Sequence, residues 1–282
     1  MRALLGQVLG VEVRAAPLEQ PATTANGPVH VQRSADGTAD VSIFRTADGY
    51  RMACFGCIDV AVGGSGRSVT VDARPPATDL DVADLLVSIV FPLVAQLRGR
   101  PAIHGSSIAI DGHAVAFAGA TGAGKSTLAA LLSDRGGRLV ADDTLLLSVD
   151  GDAVLVEPTA SNVRLREPEK LGIGPERGER RANGKLAVEY PRVEQPMRLE
   201  HLYVLGPSQE EPSVQRVRAR DAAIELAHYL FRIDPRDPEL LRAELPFLTS
   251  LAERLPVSRL RYPRDVGVAD RVLEVIRRSL SS

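Results

Sequence analysis

Apolar and polar positions alternate with a period of two over Ala39–Arg45, Tyr50–Cys54, Ile58–Val62 and Ser68–Val71. That spacing predicts four short strands, with Asp36-Gly37, Asp48-Gly49 and Gly63-Gly64 as the turns between them. They make a small antiparallel sheet suited to substrate recognition or subunit contact. Residues 1–28 are weakly patterned, and PLEQPATTANGP reads as an irregular connector. From Asp79 to Leu97 the period becomes helical, with Val82, Leu85, Leu86, Ile89, Val90, Leu93, Val94 and Leu97 on one broad core face. Pro92 inside that stretch predicts a kink or a break.

Beyond residue 98 the texture changes again, which divides the chain into a β-rich part over 1–98 and an α/β part over 99–282. Ser107–Ile110 and Ala114–Ala118 flank Asp111-Gly112 as a hairpin. A helix follows over Thr127–Arg135, with Leu128, Leu131 and Leu132 on one side and Gly136-Gly137 as its stop. Further strands are predicted at Gly137–Ala141, Thr144–Val149, Ala153–Val156, Leu199–Leu205, Ser213–Arg216 and Arg259–Tyr262. Helices are predicted at Ala219–Phe231, Glu239–Glu253 and Ala269–Arg278. Between them, Ser161–Pro191 is polar and carries Arg164, Arg166, Lys170, Arg177, Arg180, Arg181 and Lys185. It reads either as a solvated mobile loop or as a lid that delivers a cation to a phosphate.

Charge narrows the choice of partners. A formal net charge of −2 over 282 residues, with Lys and Arg scattered, gives no general attraction to nucleic acid or to an anionic membrane. The longest apolar run, Leu85–Ala95, is short for a membrane span and is interrupted by Ser88 and Pro92. The N-terminus is too polar beyond Gly10 for a signal peptide. A cytoplasmic protein is expected. Cys54 and Cys57 are the only cysteines, and with no second Cys or His pair at ligand spacing they read as structural thiols.

The candidate chemistry lies at Gly119-Ala120-Thr121-Gly122-Ala123-Gly124-Lys125-Ser126, which fits G-x-x-x-x-G-K-[ST] between a predicted strand and a predicted helix. The glycines let several backbone N–H groups curl toward one oxyanion, and the helix start adds partial positive charge. Lys125 can reach the β- and γ-phosphates, and the Ser126 hydroxyl can coordinate Mg²⁺. The motif predicts binding of ATP or another nucleoside triphosphate. Asp142-Asp143 closes the next strand, where one carboxylate can hold Mg²⁺ and the other can take the proton of an attacking hydroxyl.

His104-Gly105, the GATGAGKS loop and Arg138-Leu139-Val140-Ala141-Asp142-Asp143 together resemble the catalytic domain of HPr kinase/phosphorylase, most closely over Ile103 to Leu147. The resemblance implies a P-loop kinase core of the HPr kinase and phosphoenolpyruvate carboxykinase type, here with a small N-terminal β-rich domain. It implies that Gly119, Gly122, Gly124, Lys125 and Ser126 cradle phosphate with Ala120, Thr121, Ala123 and Thr127 beside them. Asp142 would be the metal-side acid and Asp143 the base, an order that could be exchanged, and His104 would orient the base. Arg164 and Lys185 are candidates for cations over the transferred phosphoryl group. The family's glycine-rich segment after the acidic strand is replaced here by Asn162-Val163-Arg164-Leu165-Arg166-Glu167-Pro168. The chain therefore looks more like divergent members, among them those that phosphorylate a lasso-peptide precursor at a terminal serine. The expected activity is transfer of the γ-phosphoryl group to a hydroxyl, chiefly a serine of a peptide or small protein such as a ribosomal precursor peptide. Because authentic members are hexamers, the resemblance is compatible with a homo-oligomer. Two other readings are a small-metabolite kinase and a nucleotide-dependent regulatory or scaffold protein without phosphotransfer; twin acids argue against the last.

Overall fold

The computed structural model describes residues 11–18, 27–33, 37–160, 162–181 and 184–281. It divides into two compact units, residues 1–101 with 231–243, and residues 102–230 with 244–282. The segment 231–243 thus groups with the N-terminal unit, although the sequence places it in a continuous 99–282 block.

In the first unit a six-stranded sheet runs in the order β1-β6-β5-β4-β3-β2. The strands are β1 (Glu12–Ala15), β2 (His30–Arg33), β3 (Ala39–Thr46), β4 (Gly49–Cys54), β5 (Ile58–Gly63) and β6 (Ser68–Ala73). The alternation that predicts β4 and β5 is the alternation that buries Tyr50, Met52 and Cys54 and then Ile58, Val60 and Val62. Strand β1 lies in the weakly patterned stretch over 1–28 and pairs parallel with β6. Asp36 of the expected Asp36-Gly37 turn lies outside the described residues. The turn between β4 and β5 is Phe55-Gly56-Cys57, its first two residues with positive φ; Cys54, which ends β4, is buried and Cys57 half-buried.

The apolar helical stretch forms α1 (Asp79–Leu85), a π-helical turn at Leu86–Val90 and α2 (Phe91–Leu97). Thr78 caps α1 through a reciprocal bond with Asp81. The wide turn ends where the Phe91 N–H reaches the Leu86 carbonyl, one residue before Pro92, which has no N–H to continue the ladder. The proline is accommodated by widening the helix, and the helical run continues. Over Asp79–Leu97 it is long and apolar enough to cross a membrane, which the shorter run Leu85–Ala95 is not, yet 72% of its most apolar window is buried inside the protein. Gln96 donates from Nε2 to the Phe231 carbonyl, and Arg45 pairs with Asp237 at 2.9 Å. These contacts hold 231–243 against the first unit.

The second unit is built on a sheet in the order β11-β10-β7-β8-β15-β17-β16, with β9 also paired to β7. Its strands are β7 (Ala102–Ile110), β8 (His113–Ala118), β9 (Arg138–Ala141), β10 (Thr144–Asp150), β11 (Ala153–Val156), β15 (Met197–Leu205), β16 (Ser213–Arg216) and β17 (Val257–Arg261). Strands β8, β15 and β17 are mutually parallel. Helices α3 (Lys125–Ser133) and α7 (Ala269–Leu280) contribute Leu128, Leu132, Val272 and Ile276 to a core with Val115 and Phe117 of β8. Helices α4 (Ala219–Ala227) and α6 (Glu244–Arg254) pack Leu226 and Leu251 into another core with the alternate β8 residues Ala114, Ala116 and Ala118. The period of two in β8 therefore sorts large and small residues between two cores. The expected helix over Ala219–Phe231 ends at Ala227, and the one over Glu239–Glu253 is split into α5 (Pro238–Arg242) and α6.

The described residues within 161–191 are not a structureless loop. They contain a three-stranded antiparallel sheet of β12 (Asn162–Leu165), β13 (Gly178–Arg180) and β14 (Leu186–Glu189), in the order β12-β14-β13. Val163, Leu165, Leu186 and Val188 point into a core with Ala129 and Ala130 of α3. The many charges of this stretch hide a short alternating pattern whose apolar face is covered by the helix.

Candidate active site

The loop Gly119–Ser126 connects the C-terminal end of β8 to α3. Gly119, Gly122 and Gly124 all have positive φ, which side chains rarely adopt. Gly124 is the N-cap of α3 and no side chain caps it, so the first-turn N–H groups face outward toward any anion in the loop. Lys125 folds across its own loop and donates from Nζ to the Gly119 carbonyl at 2.9 Å and the Ala120 carbonyl at 3.0 Å. Burial lowers its pKa, the carboxylates of Asp143 and Asp142 raise it, and the nearby Lys185 lowers it. Thr121 is exposed on the loop, while Ala123 and Thr127 are half-buried.

The acid pair follows β9 directly. Asp142 is 2% exposed, and its Oδ1 accepts hydrogen bonds from the Ser106 hydroxyl at 2.7 Å and the Ser126 hydroxyl at 2.8 Å. The Arg164 backbone N–H donates to Oδ2 at 3.3 Å. Burial raises the Asp142 pKa and the neighbouring Asp143 charge adds to this, opposed by Arg164 and the two hydroxyls. Asp143 has φ 72°, a left-handed conformation that Asp tolerates better than most residues. Its Oδ2 accepts from Arg164 Nη2 at 2.7 Å. His104 Nδ1–H donates to the Asp143 carbonyl at 2.9 Å and lies 3.4 Å from Oδ1. Burial lowers the His104 pKa more than the carboxylates restore it.

Register explains the meeting. Strands β10 and β7 pair antiparallel with Thr144 opposite His104, which brings the residue before Thr144 to the imidazole. The residue after the imidazole has to be glycine, since a Cβ at Gly105 would lie 2.5 Å from Leu145 Cδ1 and 2.7 Å from the Phe117 carbonyl. Arg164 and Lys185 enter from one small sheet, because Leu165 of β12 pairs with Leu186 of β14. Of the residues singled out in the sequence, the structure gathers His104, Lys125, Ser126, Asp142, Asp143 and Arg164 into one interacting set. Two features escaped the sequence reading. Ser106 lies two residues beyond His104 on the same strand and therefore on the same face, a usable signal. Tyr262 and Arg264 approach Gly124 from beyond β17, and nothing in the local sequence announces it.

The donor set suits a nucleotide-bound divalent ion. Among the described residues no cluster of three or more His, Cys, Asp or Glu could hold a metal alone. A Mg²⁺ shared with phosphate oxygens needs only one carboxylate and a hydroxyl, and Asp142 with Ser126 supplies both. The positive φ of the three loop glycines lets backbone N–H groups converge where phosphates would sit.

No family model matches the chain. Curated relatives named HPr kinase/phosphorylase do match parts of it. One from Exiguobacterium sibiricum is 45% identical over 82 residues, 29% of this chain and 26% of that protein. One from Lachnoclostridium phytofermentans is 27% identical over 137 residues, 48% of this chain and 44% of that protein. One from Limosilactobacillus reuteri is 34% identical over 110 residues, 38% of this chain and 34% of that protein. The chain thus spans less than half the length of these relatives. Among solved structures, the Hpr(Ser) kinase/phosphatase from Coxiella burnetii aligns with 13% identity and a TM-score of 0.36, over 63% of this chain and 95% of that one. In sequence, the chain is similar to the HPr kinase/phosphorylase family.

Proposed function

We propose that this HPr-kinase-like chain is an ATP- and Mg²⁺-dependent kinase that transfers the γ-phosphoryl group to a hydroxyl, chiefly a serine of a peptide or small protein. The observation that carries the proposal is the 2.8 Å bond from the Ser126 hydroxyl to Asp142 Oδ1. It joins the metal-side end of a phosphate-binding loop to an acid whose chain neighbour, Asp143, can act as a base. A glycine turn that bound no ligand would have no reason to bury a carboxylate against its serine.

Ser126 and Asp142 would hold Mg²⁺ with the phosphates, and Mg²⁺ when bound neutralises charge that develops on the phosphoryl oxygens. The backbone N–H groups of the loop orient the triphosphate, and Lys125 exchanges its loop carbonyls for phosphate oxygens. Asp143 accepts the acceptor hydroxyl proton at its carboxylate once Arg164 has turned toward the transferring group. His104 fixes Asp143 through its carbonyl. Lys185 adds a second cation on the Lys125 side. On this reading the enzyme is cytoplasmic and needs neither nucleic acid nor a membrane. A ribosomal precursor peptide is one acceptor of the right chemistry.

The test is incubation with γ-labelled ATP and Mg²⁺ against a panel of serine peptides, small proteins and hydroxylated metabolites, read by mass spectrometry. A phosphoserine product supports the proposal. Label appearing only as inorganic phosphate, whatever acceptor is offered, would reject it.

A further inference from the structure

We infer that Arg264, whose guanidinium carbon lies over the Tyr262 ring, is a further binding residue for the nucleotide: a cation for the phosphates at the non-reacting, nucleoside end of the triphosphate. This rests on the kinase reading above and extends it to residues outside the motif. The parallel strands β8, β15 and β17 end at one edge of the sheet, where ligands bind in open α/β sheets. That edge presents the glycine loop after β8, Gly206 after β15, and Tyr262 with Arg264 after β17.

The contacts are close. A Cβ at Gly124 would lie 3.4 Å from Tyr262 Oη and 3.5 Å from Arg264 Nη1, so both side chains flank the N-cap of α3. The Arg264 guanidinium carbon sits 4.1 Å from the Tyr262 ring centroid, and Nη2 donates to the Gly206 carbonyl at 2.7 Å. Tyr262 is buried, which makes it a fixed platform, while Arg264 is exposed. Among the described residues no carboxylate neutralises Arg264. A guanidinium held over the Tyr262 ring, by that residue's hydroxyl and by one carbonyl, keeps further N–H donors and its charge for an anion.

Sheet order sets which phosphates it meets. The acids Asp142 and Asp143 follow β9, which pairs with β7 on one side of β8, whereas Arg264 follows β17 on the other side. The phosphoryl group transferred lies at the acids. The opposite flank of the loop therefore faces the end of the phosphate chain that does not react. A cation there strengthens ground-state and transition-state binding alike, which changes KM and leaves kcat unchanged.

Calorimetric titration of the full chain with Mg²⁺ and ATP, ADP or inorganic tripolyphosphate tests this, comparing wild type with Arg264→Ala and Arg264→Gln. Both variants should bind all of these ligands about tenfold more weakly, with the gap narrowing in high salt. Arg264→Lys should recover part of the loss, and kcat at saturating ATP should stay within about threefold of wild type. Unchanged tripolyphosphate affinity in folded variants would overturn the inference, including the case in which only ATP binding weakens, which would assign Arg264 to the base. Wild type that binds ATP but transfers nothing would reject the kinase reading, while a weaker-binding Arg264 variant would still support the inference.

Discussion

Arg164 engages both acids of the site at once: its backbone N–H meets Asp142 at 3.3 Å and its guanidinium meets Asp143 at 2.7 Å. One residue of a small flanking sheet thereby fixes the spacing of the carboxylates that close β9. Arg164→Ala keeps the backbone contact and removes the ion pair. Its side chain is 7% exposed and that of Asp143 22%, so about 2 kcal/mol of stability should be lost, less than for a fully buried pair. Urea unfolding measures this, and an unchanged midpoint would show that the pair contributes nothing to the fold.

Ser106 is the partner that Asp142 would retain on the proposed reading, in which Ser126 turns to a metal. Ser106→Ala should raise the Mg²⁺ concentration needed for tight nucleotide binding by about tenfold, in the range typical of lost outer-shell contacts. Nucleotide affinity without Mg²⁺ should not change, and Ser106→Thr should restore much of the loss. Fluorescent-nucleotide titrations at graded Mg²⁺ read both quantities. An equal loss with and without the ion would make Ser106 merely structural.

Acid should destabilise the second unit through His201. This imidazole is buried against Tyr203 and the Ser258 hydroxyl, and burial followed by Arg216 brings its pKa down to about 4 from 6.5. The depressed value means that the unfolded chain takes up a proton first. Stability from keeping His201 neutral is complete above pH 6.5 and is lost as pH falls toward 4. The loss should total about 2–3 kcal/mol, at up to about 1.4 kcal/mol per pH unit. Urea unfolding between pH 7.5 and 4.5 should show a shallower pH slope for His201→Gln than for wild type. Equal slopes would contradict the assignment.

Much of this architecture was legible in the chain because single faces are buried. The alternation in β4 and β5, the Asp111-Gly112 hairpin turn and the strand–loop–helix around Lys125 each encode their structure within about ten residues. What escaped depends on partners far along the chain. Strand β1 has no pattern of its own and exists because β6 offers an edge. Strands β12 to β14 look like a charged loop until α3 covers Val163 and Val188. Residues 231–243 join the first unit through Gln96 and Arg45. The site divides the same way: the loop and the acids are contiguous motifs, whereas Ser106 and Arg264 acquire meaning only from strand register and sheet order.

The most direct test of the account is phosphoryl transfer by Asp143→Asn, measured beside its affinity for Mg²⁺-ATP. If Asp143 is the base facing a triphosphate held by the glycine loop, the variant should bind Mg²⁺-ATP within about threefold of wild type and transfer about 100-fold or more slowly. Transfer at the wild-type rate by Asp143→Asn would contradict the account.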